Sequence, residues 1–499
     1  MYFNSLHFLV FFPIVVLVYY IIPKKAKQLW LLAASYYFYM CWNAKYVLLI
    51  LFSTAVTYLS GRLIGSINGN ALLNKSKGMT YKKLVVAGSF IINLLILFFF
   101  KYANFVSDIL NDVFLWMHID MHIPAVDVLL PVGISFYTFQ ALSYTMDVYR
   151  EDIYPEKSFI NYALFVSFFP QLVAGPIERS KNLLTQLNTC KPFNFYKFRD
   201  GFLLMIWGFF LKIVLADRIA IYVDTIYGDI NAYPGWYLVV ATLLFAIQIY
   251  CDFGGYSTIA MGAAEILGIE LMENFNAPYL SLSVAEFWRR WHVSLSSWFK
   301  DYLYIPLGGS RKGKVRKQIN KMIVFLVSGL WHGANMTYVI WGGVNGLYQV
   351  LGDVLQPVRN RVVSFFHLNT KSVGHKVFSC IVTFILIDFS WVFFRAKTIP
   401  EAIGVLKSIF NTNNIWVLLD GSLYTCGLDR SNFSLMLLSI GILLLADIWK
   451  ARGVVIRKVI AAQDYWCRCL IMIFAICAIL IFGVWGSGYD VAGFIYFQF

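Results

Sequence analysis

The chain has 499 residues, 59% of them hydrophobic and only 14% charged, with a formal net charge of +14 and a mean hydropathy of +0.66. A soluble domain carries about 25% charged residues, so this composition excludes an ordinary soluble enzyme and describes a polytopic membrane protein. The positive charge does not point to nucleic acid, because Lys and Arg stand in short clusters between apolar runs, as in cytoplasmic loops, and leave no soluble basic groove.

Leu6 to Ile22 is apolar, with no basic residue before it and Lys24, Lys25 and Lys27 after it. That order argues against a cleaved signal peptide and for a first span whose N-terminus lies outside. Residues 28–42 and 46–59 form a hairpin returning to a second basic stretch at Arg62, Lys75, Lys77, Lys82 and Lys83. Both basic stretches therefore fall on one side. Residues 84–100 cross outward, and Asp108, Asp112, Asp120 and Asp127 make an acidic outer segment. Residues 128–148 return to an inner stretch carrying Arg150, Lys157, Arg179, Lys181, Lys191, Lys197 and Arg199. Within it the apolar piece 159–174, ended by Gly175-Pro176, is about 16 residues long and too short for a comfortable crossing, so it reads as re-entrant or half-buried. Spans at 202–215 and 236–251 follow. Asp252-Phe253-Gly254-Gly255-Tyr256 then breaks the apolar pattern, which at membrane depth is tolerated only where the backbone is protein-covered or lines a cavity.

Residues 283–303 read as an amphipathic helix lying in the membrane interface, with Trp288, His292, Leu295 and Phe299 recurring at helical spacing on one face. The loop Arg311-Lys312-Gly313-Lys314-Val315-Arg316-Lys317 is the strongest inside marker. Apolar runs across 322–351, a span at 377–394 and two last spans at 433–449 and 470–485 complete the chain, separated by basic links. The expected architecture is all-α, with roughly eleven to thirteen membrane segments, re-entrant or interfacial helices included. They form a single membrane domain without a soluble domain of appreciable size.

Several motifs are weak. Gly308-Gly309-Ser310-Arg311-Lys312-Gly313-Lys314-Val315 nearly spells a phosphate-binding loop, but Val315 replaces the Ser or Thr that would hold magnesium and no strand precedes it. A flexible basic loop able to meet anionic headgroups or the phosphates of a cytosolic cofactor fits better. His118-Ile119-Asp120-Met121-His122 has ligand-like residue types in a short loop, and Cys467-Arg468-Cys469 lacks a second ligand pair. No metal site is expected. Gly-x-Ser-x-Gly and His-Glu-x-x-His strings are absent from the sequence, which disfavours serine-hydrolase and zinc-protease chemistry.

His332 is the stronger signal, set in Leu326-Val327-Ser328-Gly329-Leu330-Trp331-His332-Gly333-Ala334-Asn335. An imidazole in a hydrophobic run costs folding free energy unless it has partners or a water-lined cavity, so such residues are functional candidates. Gly329 and Gly333 remove side chains and let a substrate or another backbone approach, with Asn335 nearby as a polar partner. On these residues alone, a packed histidine and a reactive one both stand. For His292 the packed reading leads, because aromatic-rich amphipathic helices often carry an interfacial histidine.

Longer strings are specific: Pro170-Gln171-Leu172-Val173-Ala174-Gly175-Pro176-Ile177, Tyr250-Cys251-Asp252-Phe253-Gly254-Gly255-Tyr256-Ser257, Asn274-Phe275-Asn276-Ala277-Pro278-Tyr279, the stretch from Phe287 to Gly309, Gly329 to Ala334, Ser390-Trp391-Val392-Phe393-Phe394-Arg395-Ala396 and the terminal Phe494-Ile495-Tyr496-Phe497-Gln498-Phe499. Over nearly its whole length the chain resembles the membrane-bound O-acyltransferase (MBOAT) family, in its bacterial alginate O-acetyltransferase-like branch. The resemblance implies a ring of helices around a thin, funnelled centre, with a tunnel joining the two faces. It makes His332 the catalytic base and His292 a second catalytic residue. Asp252, Asn276, Trp288, Arg289, Trp331 and Asn335 become donor-binding or tunnel-lining candidates.

The implied reaction uses acetyl-CoA or another acyl thioester as donor substrate, with no bound cofactor, for O-acylation of an exported or cell-surface polysaccharide. The implied partner is an extracytoplasmic serine esterase-like (SGNH-type) protein or an anchored acceptor, and the location is the bacterial plasma membrane. A hydroxyl attacks a thioester only if its proton is removed, and an imidazole with a pKa of about 6.5 suits that task. No covalent intermediate is required. Two alternatives are D-alanyl transfer to teichoic acid, within the family, and a transporter or channel without covalent chemistry. The latter's expected mark, repeated broken helices in two halves, is not seen.

Overall fold

A computed structural model describes the chain except for residues 70–74, 174, 190 and 486–499. The terminal string from Phe494 to Phe499 thus lies outside the described residues. Helices dominate, and no strand occurs among the described residues. The chain divides into two compact units, one of residues 1–202 with 260–272 and one of residues 203–259 with 273–499.

In the first unit, the Ser5 hydroxyl caps α1 (Leu6–Ile21) by accepting the Phe8 N–H. Pro23, which cannot extend α1, stands directly before α2 (Lys24–Met40). The apolar α3 (Val47–Gly69) and α4 (Lys75–Lys101) pack with a buried hydrogen bond from Ser53 to Asn93. Next come the amphipathic α5 (Ala103–Trp116) and α6 (Ile134–Tyr149), the latter buried along nearly its whole length. Gly61 admits α6, since a Cβ there would stand 2.6 Å from the Tyr144 ring. The short apolar piece expected at 159–174 forms two short helices, α7 (Phe159–Ser167) and α8 (Phe169–Leu172), divided at Phe168 where the Ser35 hydroxyl accepts the Phe169 N–H. The polar α9 (Ser180–Thr189) follows.

The chain continues through α10 (Phe195–Phe209), a π-helical turn at Phe210–Ala216, and α11 (Asp217–Gly228). α12 (Trp236–Ile266) is continuous. The span expected at 236–251 runs on to Ile266, because Asp252–Tyr256 is covered by protein, with Gly254 and Gly255 inside the helix and Gly255 a contact point for another backbone. A second expectation is also corrected. The stretch 283–303 is not one interfacial amphipathic helix but α13 (Val284–Arg290), α14 (Val293–Phe299) and a π turn at Lys300–Tyr304, with Phe287, Trp291, His292, Leu295 and Phe299 buried. The helix breaks at His292, whose φ is +44°. There the next two N–H groups turn to Asn274: Val293 donates to its carbonyl at 2.9 Å and Ser294 to its Oδ1 at 3.3 Å.

The second unit is completed by α15 (Lys314–His332), α16 (Met336–Val354), α17 (Gln356–Phe365), α18 (Val373–Arg395), α19 (Ile399–Asn411), α20 (Arg430–Ala451), α21 (Ile456–Ala461) and α22 (Tyr465–Phe482). Among the described residues, six helices are long and apolar enough to cross a membrane: α3, α4, α12, α18, α20 and α22. They differ sharply in surroundings, with 78% of the apolar window buried in α12 and 6% in α22. The chain is an all-α, multi-pass membrane protein.

Candidate active site

The site belongs wholly to the second unit and begins with the hairpin of α15 and α16. A Cβ on Gly329 would lie 2.2 Å from the Tyr338 carbonyl oxygen, and one on Gly342 would lie 2.3 Å from that of Phe325. The two helices therefore meet backbone on backbone. Gly333 ends α15 in extended conformation beneath the Tyr338 ring. The space at both Gly329 and Gly333 is thus filled by neighbouring protein, and the helix ends right after His332.

His332, the last residue of α15, is set into an aromatic wall. Its imidazole is buried, with ring centroids 5.0 Å from Trp331, 5.1 Å from Trp341 and 5.4 Å from Phe394. Trp341 stacks on Trp391 at 5.7 Å, and Trp391 meets Trp291 at 5.2 Å. Trp331 also touches His292, with centroids 6.0 Å apart. The two histidines thus flank one indole.

Asn274 is the residue that builds the His292 side. Its non-helical segment is pinned by the Asn276 N–H donating to the Arg290 carbonyl and by Lys450, which pairs with Glu273 and donates to the Phe275 carbonyl. Asn274 Nδ2 donates to Ser257 Oγ at 3.2 Å. Its Oδ1 accepts the Ser294 N–H and hydroxyl, and a backbone N–H can only donate, so this atom is an oxygen acceptor. His292 Nδ1, 3.0 Å from the same oxygen, must therefore carry a proton, which puts the lone pair of the neutral ring on Nε2. Burial pushes the His292 imidazole, which lies outside the six long apolar helices, down to about 3. The ring is neutral at physiological pH.

The other sequence-derived candidates divide. Trp331 separates the two histidines, and Trp288 packs edge-on against Phe325 at 5.3 Å and Trp341 at 5.6 Å. Asp252 pairs with Lys212 at 2.6 Å, while its neighbour Phe253 lies 4.7 Å from His292. Asn276 and Arg289 are exposed. Asn335 caps α16 by accepting the Thr337 N–H and donates to the Lys397 carbonyl. Sequence reasoning passed over Asn274, although it stands two residues before Asn276 in the same string. It also passed over Lys212, whose signal was an ionisable residue inside the apolar run 202–215.

Neutral imidazoles within aromatic walls can remove a proton from a hydroxyl while excluding the water that would compete for an activated acyl group. Comparison with known proteins agrees with that chemistry. The model of the MBOAT, membrane-bound O-acyltransferase family, matches residues 153–389, which contain both histidines. The chain is 38% identical over 414 residues to a Pseudomonas syringae protein named Probable alginate O-acetylase AlgI, covering 82% of this chain and 75% of that one. It is 33% identical over 437 residues to the Peptidoglycan O-acetyltransferase of Helicobacter pylori, covering 81% and 79%. A more distant similarity, 28% over 279 residues and covering 52% and 65%, relates it to the Teichoic acid D-alanyltransferase of Bacillus subtilis. With three quarters of an alginate O-acetylase-named relative spanned at this identity, the chain is an acyltransferase and belongs to the membrane-bound O-acyltransferase family.

Proposed function

We propose that this acyltransferase moves an acetyl group from acetyl-CoA onto an exported or cell-surface polysaccharide at a bacterial plasma membrane, with its N-terminus outside. The observation that carries the reading is His332 itself, a buried imidazole at a helix end inside an aromatic wall, sharing the Trp331 indole with a second imidazole of fixed tautomer. In this scheme His332 takes the proton of the attacking hydroxyl as its oxygen forms the new C–O bond. The C–S bond of the thioester breaks, and the proton passes to the departing thiolate. His292 positions the acyl group of the bound donor for this attack. Acetyl transfer is favoured over D-alanyl transfer because the relatives named for O-acetyl transfer align with far more of this chain.

A long hydrophilic polymer needs a concave polar site, and short connections between membrane helices do not build one. An extracytoplasmic serine esterase-like (SGNH-type) partner or an anchored acceptor therefore receives the acetyl group. The test is to supply labelled acetyl-CoA to membranes holding this protein alone and to membranes that also hold the partner. Label should reach the polymer only in the second case. Efficient labelling by the purified protein without a second polypeptide would overturn the scheme, and mass spectrometry of surface polymers from cells with and without the protein identifies the acceptor.

A further inference from the structure

Lys212 is a buried charge that acyl transfer at the histidines does not use, and it lies inside the π-helical turn Phe210–Ala216, where the Asp217 N–H donates to the Lys212 carbonyl. An α-helix would put residues five apart on different faces, whereas the wider π turn stacks them, and Lys212 Nζ reaches Asp217 Oδ1 at 2.8 Å. The same ammonium reaches Asp252 Oδ1 of α12 at 2.6 Å, with all three side chains at most 5% exposed. At this level the two segments touch through glycine. A Cβ on Gly255 would stand 2.9 Å from the Gly208 carbonyl oxygen and 3.0 Å from the Lys212 nitrogen. The crossing fixes how close α12 comes, and the ion pair fixes its rotation.

The same part of α12 carries the His292 support. Phe253, adjacent to Asp252, lies against His292, and Ser257, one turn further on, accepts the Asn274 amide that in turn holds Nδ1. We propose that Lys212 is a positioning residue for acyl transfer. By gripping Asp252 it sets the rotation of α12 at which Phe253 and Ser257 keep Asn274 and His292 in register. This rests on the acyl-transfer reading of the site. A buried ion pair gives little net stability compared with neutral groups of similar size, and what it does supply is one directed geometry.

The experiment uses the full protein in membranes with its partner, measuring kcat and KM for acetyl-CoA together with thermal unfolding. Asp252→Leu removes the grip yet leaves Lys212 paired with Asp217, so no charge is stranded. It should unfold within a few degrees of wild type, keep KM and lose kcat on the order of 10²-fold, the loss that a small misplacement near the chemistry produces. Asp252→Asn, which keeps an oxygen acceptor for the ammonium, should retain most of kcat. Combining Asp252→Leu with Ser257→Ala should cost little more than the larger single loss, because both act through Asn274 and His292. If Asp252→Leu does not accumulate, Asp252→Ser enters the same cycle. Additive losses, a change confined to KM, or full activity in the variant without the grip would overturn the proposal. His332→Ala in the same membranes separates the two readings: activity there sinks the site itself, whereas an inactive His332→Ala beside a fully active Asp252→Leu sinks only the positioning role.

Discussion

His332 and His292 share one indole, and the proposed function gives them different work. The proposed role of His332 as base predicts that His332→Ala lowers acetyl transfer by between about a hundredfold and ten-thousandfold, while membrane abundance stays near wild type. A variant retaining a substantial fraction of activity in a labelled-acetate assay would remove it from the chemistry. His292 leaves a mark on stability. Its folded-state pKa, lowered to about 3, lies below the ordinary value of 6.5. Between these values the unfolded chain binds a proton that the folded one refuses. The contribution is fully present above pH 6.5 and is lost progressively as pH falls towards 3. In detergent, the unfolding temperature of wild type should drop over that range, and His292→Asn, whose side chain tolerates the left-handed backbone at this position, should show a shallower fall. Equal slopes would mean that other groups dominate the acid limb.

At the scale of elements, the all-α architecture and the short apolar piece from Phe159 were legible from hydropathy, residue type and resemblance, whereas the division of that piece into two helices at Phe168 was not. The stretch around His292 was misread because its helix is interrupted by Asn274, a partner 18 residues earlier in the chain, and such competition for N–H groups has no local signature. The continuation of α12 beyond residue 251 was missed for a different reason. Glycine within an apolar run signals either a broken helix or a close helix crossing, and only the packed structure decides between them. The crossing of α15 and α16 gives a direct test. Gly329→Ala puts a methyl group 2.2 Å from a backbone oxygen that cannot swing away, so it should cost about 1–3 kcal/mol or more and lower both abundance and unfolding temperature. Gly343→Ala meets only the end of the Leu326 side chain at 3.6 Å and should behave as wild type. Similar behaviour of the two variants would show that the helix pair adjusts its spacing.

For the whole molecule, the charge pattern predicts that the segment 102–127 faces outside and the loop 311–317 faces the cytoplasm. A membrane-impermeant thiol reagent added to intact cells should modify a cysteine placed at the exposed Asp112 and spare one placed at the exposed Gly313. The reverse pattern would invert the direction of acyl transfer. The contrast between α12 and α22 reaches further, into how the enzyme survives outside its native surroundings. The solvent of α12 is mostly other protein, whereas the solvent of α22 is mostly lipid. Extraction into detergent replaces nearly everything that α22 touches and little of what α12 touches. Loss of order during purification should therefore begin at α22 and reach the histidines last, so the choice of detergent decides first the fate of the C-terminal helices and only afterwards that of catalysis.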